Sequence, residues 1–178
     1  MVWLMLIAAA VLVIGPVLYI LPSQRDRQRA DMRATARQQG LVVELAHVYD
    51  VDSPLHERVS ASGVARRPEL ACVRYGLPLG KPLTGVTDLR LVRGRGGDWG
   101  HEPGVAASPL LERAVQASLG TLPPDTRGLV VSSSVVWLYW QEVVSEGTSP
   151  QATVEAVAVS LRGLRDRVVA AWSPPEEF

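Results

Sequence analysis

The stretch that most constrains this chain is its beginning. Between Met1 and Gln24 there is no Asp, Glu, Lys, Arg or His, and Val2 to Leu21 is almost wholly Leu, Ile, Val, Ala, Met and aromatic residues. A helical run of about 20 apolar residues, rising about 1.5 Å per residue, matches the roughly 30 Å hydrocarbon core of a bilayer. Gly15 and Pro16 interrupt it, but both are commoner in membrane helices than in soluble ones. Trp3 and Tyr19 stand near its two ends, where amphipathic rings sit at headgroup level. A cleaved secretory signal needs a basic start, a shorter apolar core and a small-residue exit, none of which is present. Residues 1–22 are therefore read as a retained single-pass transmembrane anchor. Gly15 has no second glycine four residues away, but Ala8 and Ala9 offer small residues for helix-mediated self-association within the bilayer.

Arg25, Arg27, Arg29, Arg33 and Arg37 follow at once. Positive charge beside an apolar span holds that side in the cytoplasm, so the amino terminus is expected outside and the remainder inside. A single cysteine, Cys72, cannot make an internal disulfide and agrees with a reducing compartment.

Residues 23–40 are expected to form an Arg-rich juxtamembrane helix, free of Gly and Pro until Gly40 supplies a left-handed end. Arg25, Arg29, Arg33 and Arg37 recur four apart, forming one stripe that is read as either a solvated stalk or a partner-binding face. Its apolar side is too thin for a helix lying flat on lipid. Nucleic acid is disfavoured as a partner, since 18 basic residues balance 18 acidic ones and no aromatic residue interrupts the stripe.

Residues 41–173 have the length of one compact domain, with 174–178 as a tail. "LVVELAHV" alternates as a strand with Leu41, Val43, Leu45 and His47 directed to the core, His47 as a semi-buried, hydrogen-bonded side chain. "LACVRYGL" and "VTDLRLVRG" alternate too. "DVDSPLHERVSASGVARRPE" reads as a loop, as does "RGRGGDWG", which fits no phosphate-binding pattern. Ser108-Pro109 opens a helix to about Leu119. "LVV" and "VVWLYWQEVV" flank Ser132 to Ser134 as a hairpin, and the aromatic strand, apolar on both faces, is read as a central strand or as one offering a face to a partner, with core packing preferred. Ser149-Pro150 opens a second helix carrying Val154, Val157, Ala158, Leu161, Leu164, Val168 and Trp172 on one face, with Arg162 and Asp166 paired on another. Consecutive strands without intervening helices imply an α+β domain: a mostly antiparallel sheet packed by about two helices.

Two polar clusters hold the residue types of metal and acid/base chemistry: His47, Asp50, Asp52, His56 and Glu57, and Asp98, His101 and Glu102. Their spacing matches no zinc or hydrolase signature, so no metal, cofactor or catalytic residue is assigned. A membrane-tethered hydrolase using these loops is the enzymatic alternative, and a non-catalytic role is preferred.

The opening of the chain, through "LPSQRDRQRADMRATARQQGLVVEL", resembles the YajC-type accessory subunit of the bacterial Sec preprotein translocase: a short span, a basic junction, a charged helix and a cytoplasmic β domain. The family's Gly-Asp-x-Val and glycine-rich strands are missing after Gly40. The resemblance implies a bacterial inner-membrane location and contact with the translocase. The functional expectation is a single-pass inner-membrane protein whose cytoplasmic domain binds a membrane complex as an accessory or assembly factor, with Sec accessory function as one form of it.

Overall fold

A computed structural model describes Trp3 and residues 23–60, 62–106, 108–143 and 148–172. The anchor expected over 1–22 thus lies, Trp3 apart, outside the described residues. Among the described residues no helix is long and apolar enough to cross a membrane.

Helix α1 spans Gln24–Gln38. It starts on a reciprocal cap: Ser23 Oγ accepts from the Asp26 amide at 3.2 Å, and the Asp26 carboxylate accepts from the Ser23 amide at 3.2 Å. The Ser23 contacts also hold the Asp26 carboxyl below the usual carboxylate range. The helix ends where the Leu41 amide reaches back to the Ala36 carbonyl at 3.0 Å, a closure that needs the positive φ of 81° at Gly40.

Strand β1 is Val42–Tyr49, β2 Glu69–Pro78, β3 Leu89–Arg93 and β4 Trp99–His101. Helix α2, Pro109–Leu119, precedes the hairpin of β5, Thr126–Val131, and β6, Val135–Trp140, and helix α3, Pro150–Ala171, closes the order. Both helices begin at the expected Ser-Pro pairs, and Ser149 Oγ accepts from the Ala152 amide at 3.1 Å. All described pairings are antiparallel, in the order β1-β2-β6-β5-β3-β4. The α+β class with an antiparallel sheet is as read from the sequence, and β6 is central.

The three helices cover one face of the sheet. Met32 and Ala36 of α1, Leu111 and Val115 of α2, and Val154 to Val168 of α3 enclose Tyr75, Leu91, Leu129, Leu138 and Trp140 without solvent contact or nearly so. The uncovered stalk that the sequence allows is not what α1 forms: its Met32-Ala36 side lies in the main core. Arg162 of α3 donates to the Gln39 carbonyl at 3.2 Å and to Gln39 Oε1 at 2.9 Å, fastening the end of α1. The expected Arg162-Asp166 pair is replaced by this contact, and Asp166 is bonded instead by its neighbour Arg165 at 2.8 Å.

On the opposite face a smaller cluster of Val48, Cys72, Val92, Val130 and Tyr139 is closed by curling of the sheet. Val48 lies against Gly128, where an added Cβ would come 2.8 Å from Val48 Cγ2. Gly128 sits beside a register irregularity of β5, and bulges strengthen local twist. The segment after β1 continues this curl, with Asp52 Oδ2 accepting from the Arg95 amide at 2.7 Å. Trp137 lies across Gly76, and the Arg74 guanidinium stacks on its ring 4.2 Å from the centroid.

Candidate functional site

Glu142 organises the corner where α1 meets the sheet. It follows β6 with a positive φ of 57°, uncommon for a residue with a side chain, and this turn sends its carboxylate under α1. Arg33 grips that carboxylate with both arms, Nε to Oε1 at 2.9 Å and Nη2 to Oε2 at 2.6 Å. The Tyr75 hydroxyl donates to Oε1 at 2.7 Å. The Glu142 side chain is 2% exposed and that of Arg33 29%. A buried carboxylate requires such pairing, and the forked guanidinium supplies two parallel donors. Hydrogen bonding to Glu142 raises the Arg33 pKa, and burial followed by the bond to Glu142 raises that of Tyr75. Next door, the Val143 amide donates to Asp125 Oδ2 at 2.8 Å.

Two cavities adjoin this pair. The smaller, about 250 Å³, is lined by Arg25, Gln28, Arg29, Met32, Glu142 and Val143. The larger, about 360 Å³, shares Arg29, Glu142 and Val143 and reaches Leu45 and Ala71 on the sheet. Together they form a groove under the first two turns of α1. Arg25 and Arg29 are exposed at its rim, and neither makes an ion pair among the described residues. Val143 and Leu45 are 56% and 78% exposed. The stripe is thus divided: Arg33 is used within the chain, Arg25 and Arg29 face the groove, and Arg37 is exposed one turn beyond Arg33.

Leu45 and His47 depart from the expected inward orientation in effect, though not in parity. Both lie on the helix side of β1, but α1 covers only Leu41 and Val43 there, leaving Leu45 and His47 exposed.

The two polar clusters come near each other without forming a centre. Asp52 bridges them through the Arg95 amide, while Asp50 Oδ1 accepts from the Asp52 amide at 3.0 Å, a local turn contact. His56 is exposed beside Glu57, His101 meets Glu112 of α2 at 3.2 Å, and buried Glu102 pairs with Arg67 and, at 4.0 Å, with Arg90. No group of three His, Cys, Asp or Glu suited to a metal occurs among the described residues. Burial pushes the Cys72 thiol up from 9.0 to about 11, which suppresses thiolate chemistry.

Sequence reasoning passes over Glu142. Its partner lies 109 residues away in the chain, and "WQEVV" carries no signal of a buried acid. The chain matches no protein family, no curated protein and no solved structure.

Proposed function

We propose that this chain is a single-pass membrane protein that acts by binding, as a non-catalytic accessory or assembly factor, and that the groove beneath α1 receives an acidic, partly apolar segment of a protein in a membrane complex. The observation that carries the reading is the pairing of Arg25 and Arg29, which make no ion pair among the described residues, with the exposed apolar side chains Leu45 and Val143 along one groove. Arginine is favoured where carboxylates must be recognised, and exposed apolar surface beside it contributes burial on association. The inner-membrane location and the orientation rest on the apolar run and the arginines after it. A Sec translocase component is one identity for the partner, supported by the resemblance of the chain's opening alone.

Arg33 belongs to the fold, so it should be left intact in any test. The full-length protein and an Arg25→Gln, Arg29→Gln variant are purified from membranes in mild detergent, and the co-purifying proteins are identified. A partner present with the parent and lost with the variant supports docking at the groove. A partner retained by the variant, or no specific partner with either, refutes it.

A further inference from the structure

We propose that the free edge of β1 pairs antiparallel with the β1 of a second copy, about a two-fold axis through Leu45. Strand β1 is the outermost strand on its side of the sheet, with its backbone bonded to β2 alone among the described residues. Natural edges are guarded by charged side chains, above all Lys, by Pro, a bulge, shortness or a covering element, and the one charge of β1, Glu44, is paired with Arg74 of its own sheet. At the far side β4 has only three residues, whereas β1 has eight, with no Lys, no Pro and an unbroken register against β2. Its most exposed large apolar residue is Leu45. Val48 is buried against Gly128, so the accessible template is 42–47.

A two-fold axis perpendicular to the sheet keeps the helices of both copies on one face, so residues of the same face oppose one another. Two registers retain most of 42–47. One sets Glu44 directly against its own copy, which like charge disfavours. The other sets Leu45 against Leu45, Glu44 against Ala46 and Val43 against His47. It opposes no like charges, and each Glu44 keeps its own neutralising partner, since Arg74 Nε donates to Glu44 Oε2 at 2.8 Å. This register also covers the largest exposed apolar side chain of the strand with its own image. An isologous contact of this kind closes on itself and cannot propagate into a filament. Leu45 also borders the larger cavity, so in the dimer it is taken up by the strand pairing and the groove keeps Arg25, Arg29 and Val143 for its partner.

The test uses the full chain in its native membranes, in a Cys72→Ser background, with Leu45→Cys, Glu44→Cys or Ala46→Cys introduced singly. Facing Cβ atoms of a strand pair lie near disulfide range, whereas diagonal ones lie beyond it, so the Leu45→Cys chain should dimerise under mild oxidation about tenfold faster than either neighbour. Co-expressed Glu44→Cys and Ala46→Cys chains should crosslink to each other. Equal rates at all three positions, no Leu45→Cys dimer, or a crosslink to a different protein would each overturn the proposal. Independently of any cysteine, light scattering of the otherwise unaltered protein in detergent should give a dimer that Leu45→Lys converts to a monomer. A monomer at every concentration of the parent would also overturn it.

Discussion

Replacing Arg33 by Met measures how strongly α1 is held. The Glu142 carboxylate would keep one donor, the Tyr75 hydroxyl at 2.7 Å, and lose both guanidinium contacts while its side chain stays 2% exposed. Removing one partner of a fully buried pair costs about 3–5 kcal/mol. Arg33 is itself 29% exposed, so water reaches that side of the pair and the cost falls to roughly 2–3 kcal/mol. Glu142→Gln keeps the shape and an acceptor for Tyr75, and frees Arg33 to turn outward, at about 1 kcal/mol. In the double variant no charge is left buried, so its loss should stay near that of Glu142→Gln alone, a coupling of about 2–3 kcal/mol. For a chain of this size each kcal/mol moves Tm by about 2–4 °C, so Arg33→Met should melt roughly 5–10 °C early and the double variant should recover most of that. Near-ultraviolet circular dichroism of the full chain in detergent follows the melt. Losses that add within about 0.5 kcal/mol would refute the argument that an orphaned buried carboxylate sets the cost.

Gly128→Ala should cost about 1–3 kcal/mol by overpacking, because the new methyl meets Val48 Cγ2 at 2.8 Å and the Leu91 carbonyl at 3.2 Å; unchanged stability in a chemical melt would show that the curl of β1 over β5 is loose. Gly76→Ala should change the tryptophan emission, since its Cβ would fall 2.4 Å from Trp137 Cζ3 and displace the ring from beneath Arg74. Cys72 and Tyr75 both hold their protons more tightly folded than unfolded, so both contributions are complete below about pH 9; that of Cys72 is lost as pH rises from about 9 through about 11, and that of Tyr75 begins to be lost above its ordinary value of 10.0. Melting temperature should therefore fall across that interval, and Cys72→Ser should remove the earlier part of the fall. A flat profile for the parent would contradict the burial of both groups.

What the sequence made legible were elements that carry their own signal. Alternation in "LVVELAHV" and "LACVRYGL", the Ser-Pro openings of α2 and α3, and the Gly40 stop of α1 depend on residues within a few positions of each other. Strand β4 was passed over because Trp99-Gly100-His101 is too short to show a period, and it forms only by pairing with β3. The arginine stripe showed its spacing but not its division of labour. Which arginine turns inward is decided by Glu142, and a bond across more than a hundred residues leaves no local trace. Leu45 and His47 had the parity of core residues. Parity assigns a side of the sheet, whereas burial also needs something to cover that side, and α1 covers only the start of β1.

Helix α1 is joined to residues near the other end of the chain: Arg33 to Glu142, 109 positions on, and Gln39 to Arg162, 123 positions on. Closing a loop of that length costs several kcal/mol of chain entropy, which local contacts within α1 cannot offset. During synthesis the first helix therefore waits, its Met32 and Ala36 unburied, until the last helix has left the ribosome. The domain is completed when these distant segments meet, so a chain shortened before α3 would lack more than its final helix: it would leave the first one held only by Glu142 and the start of β1, with its Met32-Ala36 side without the helix that packs beside it.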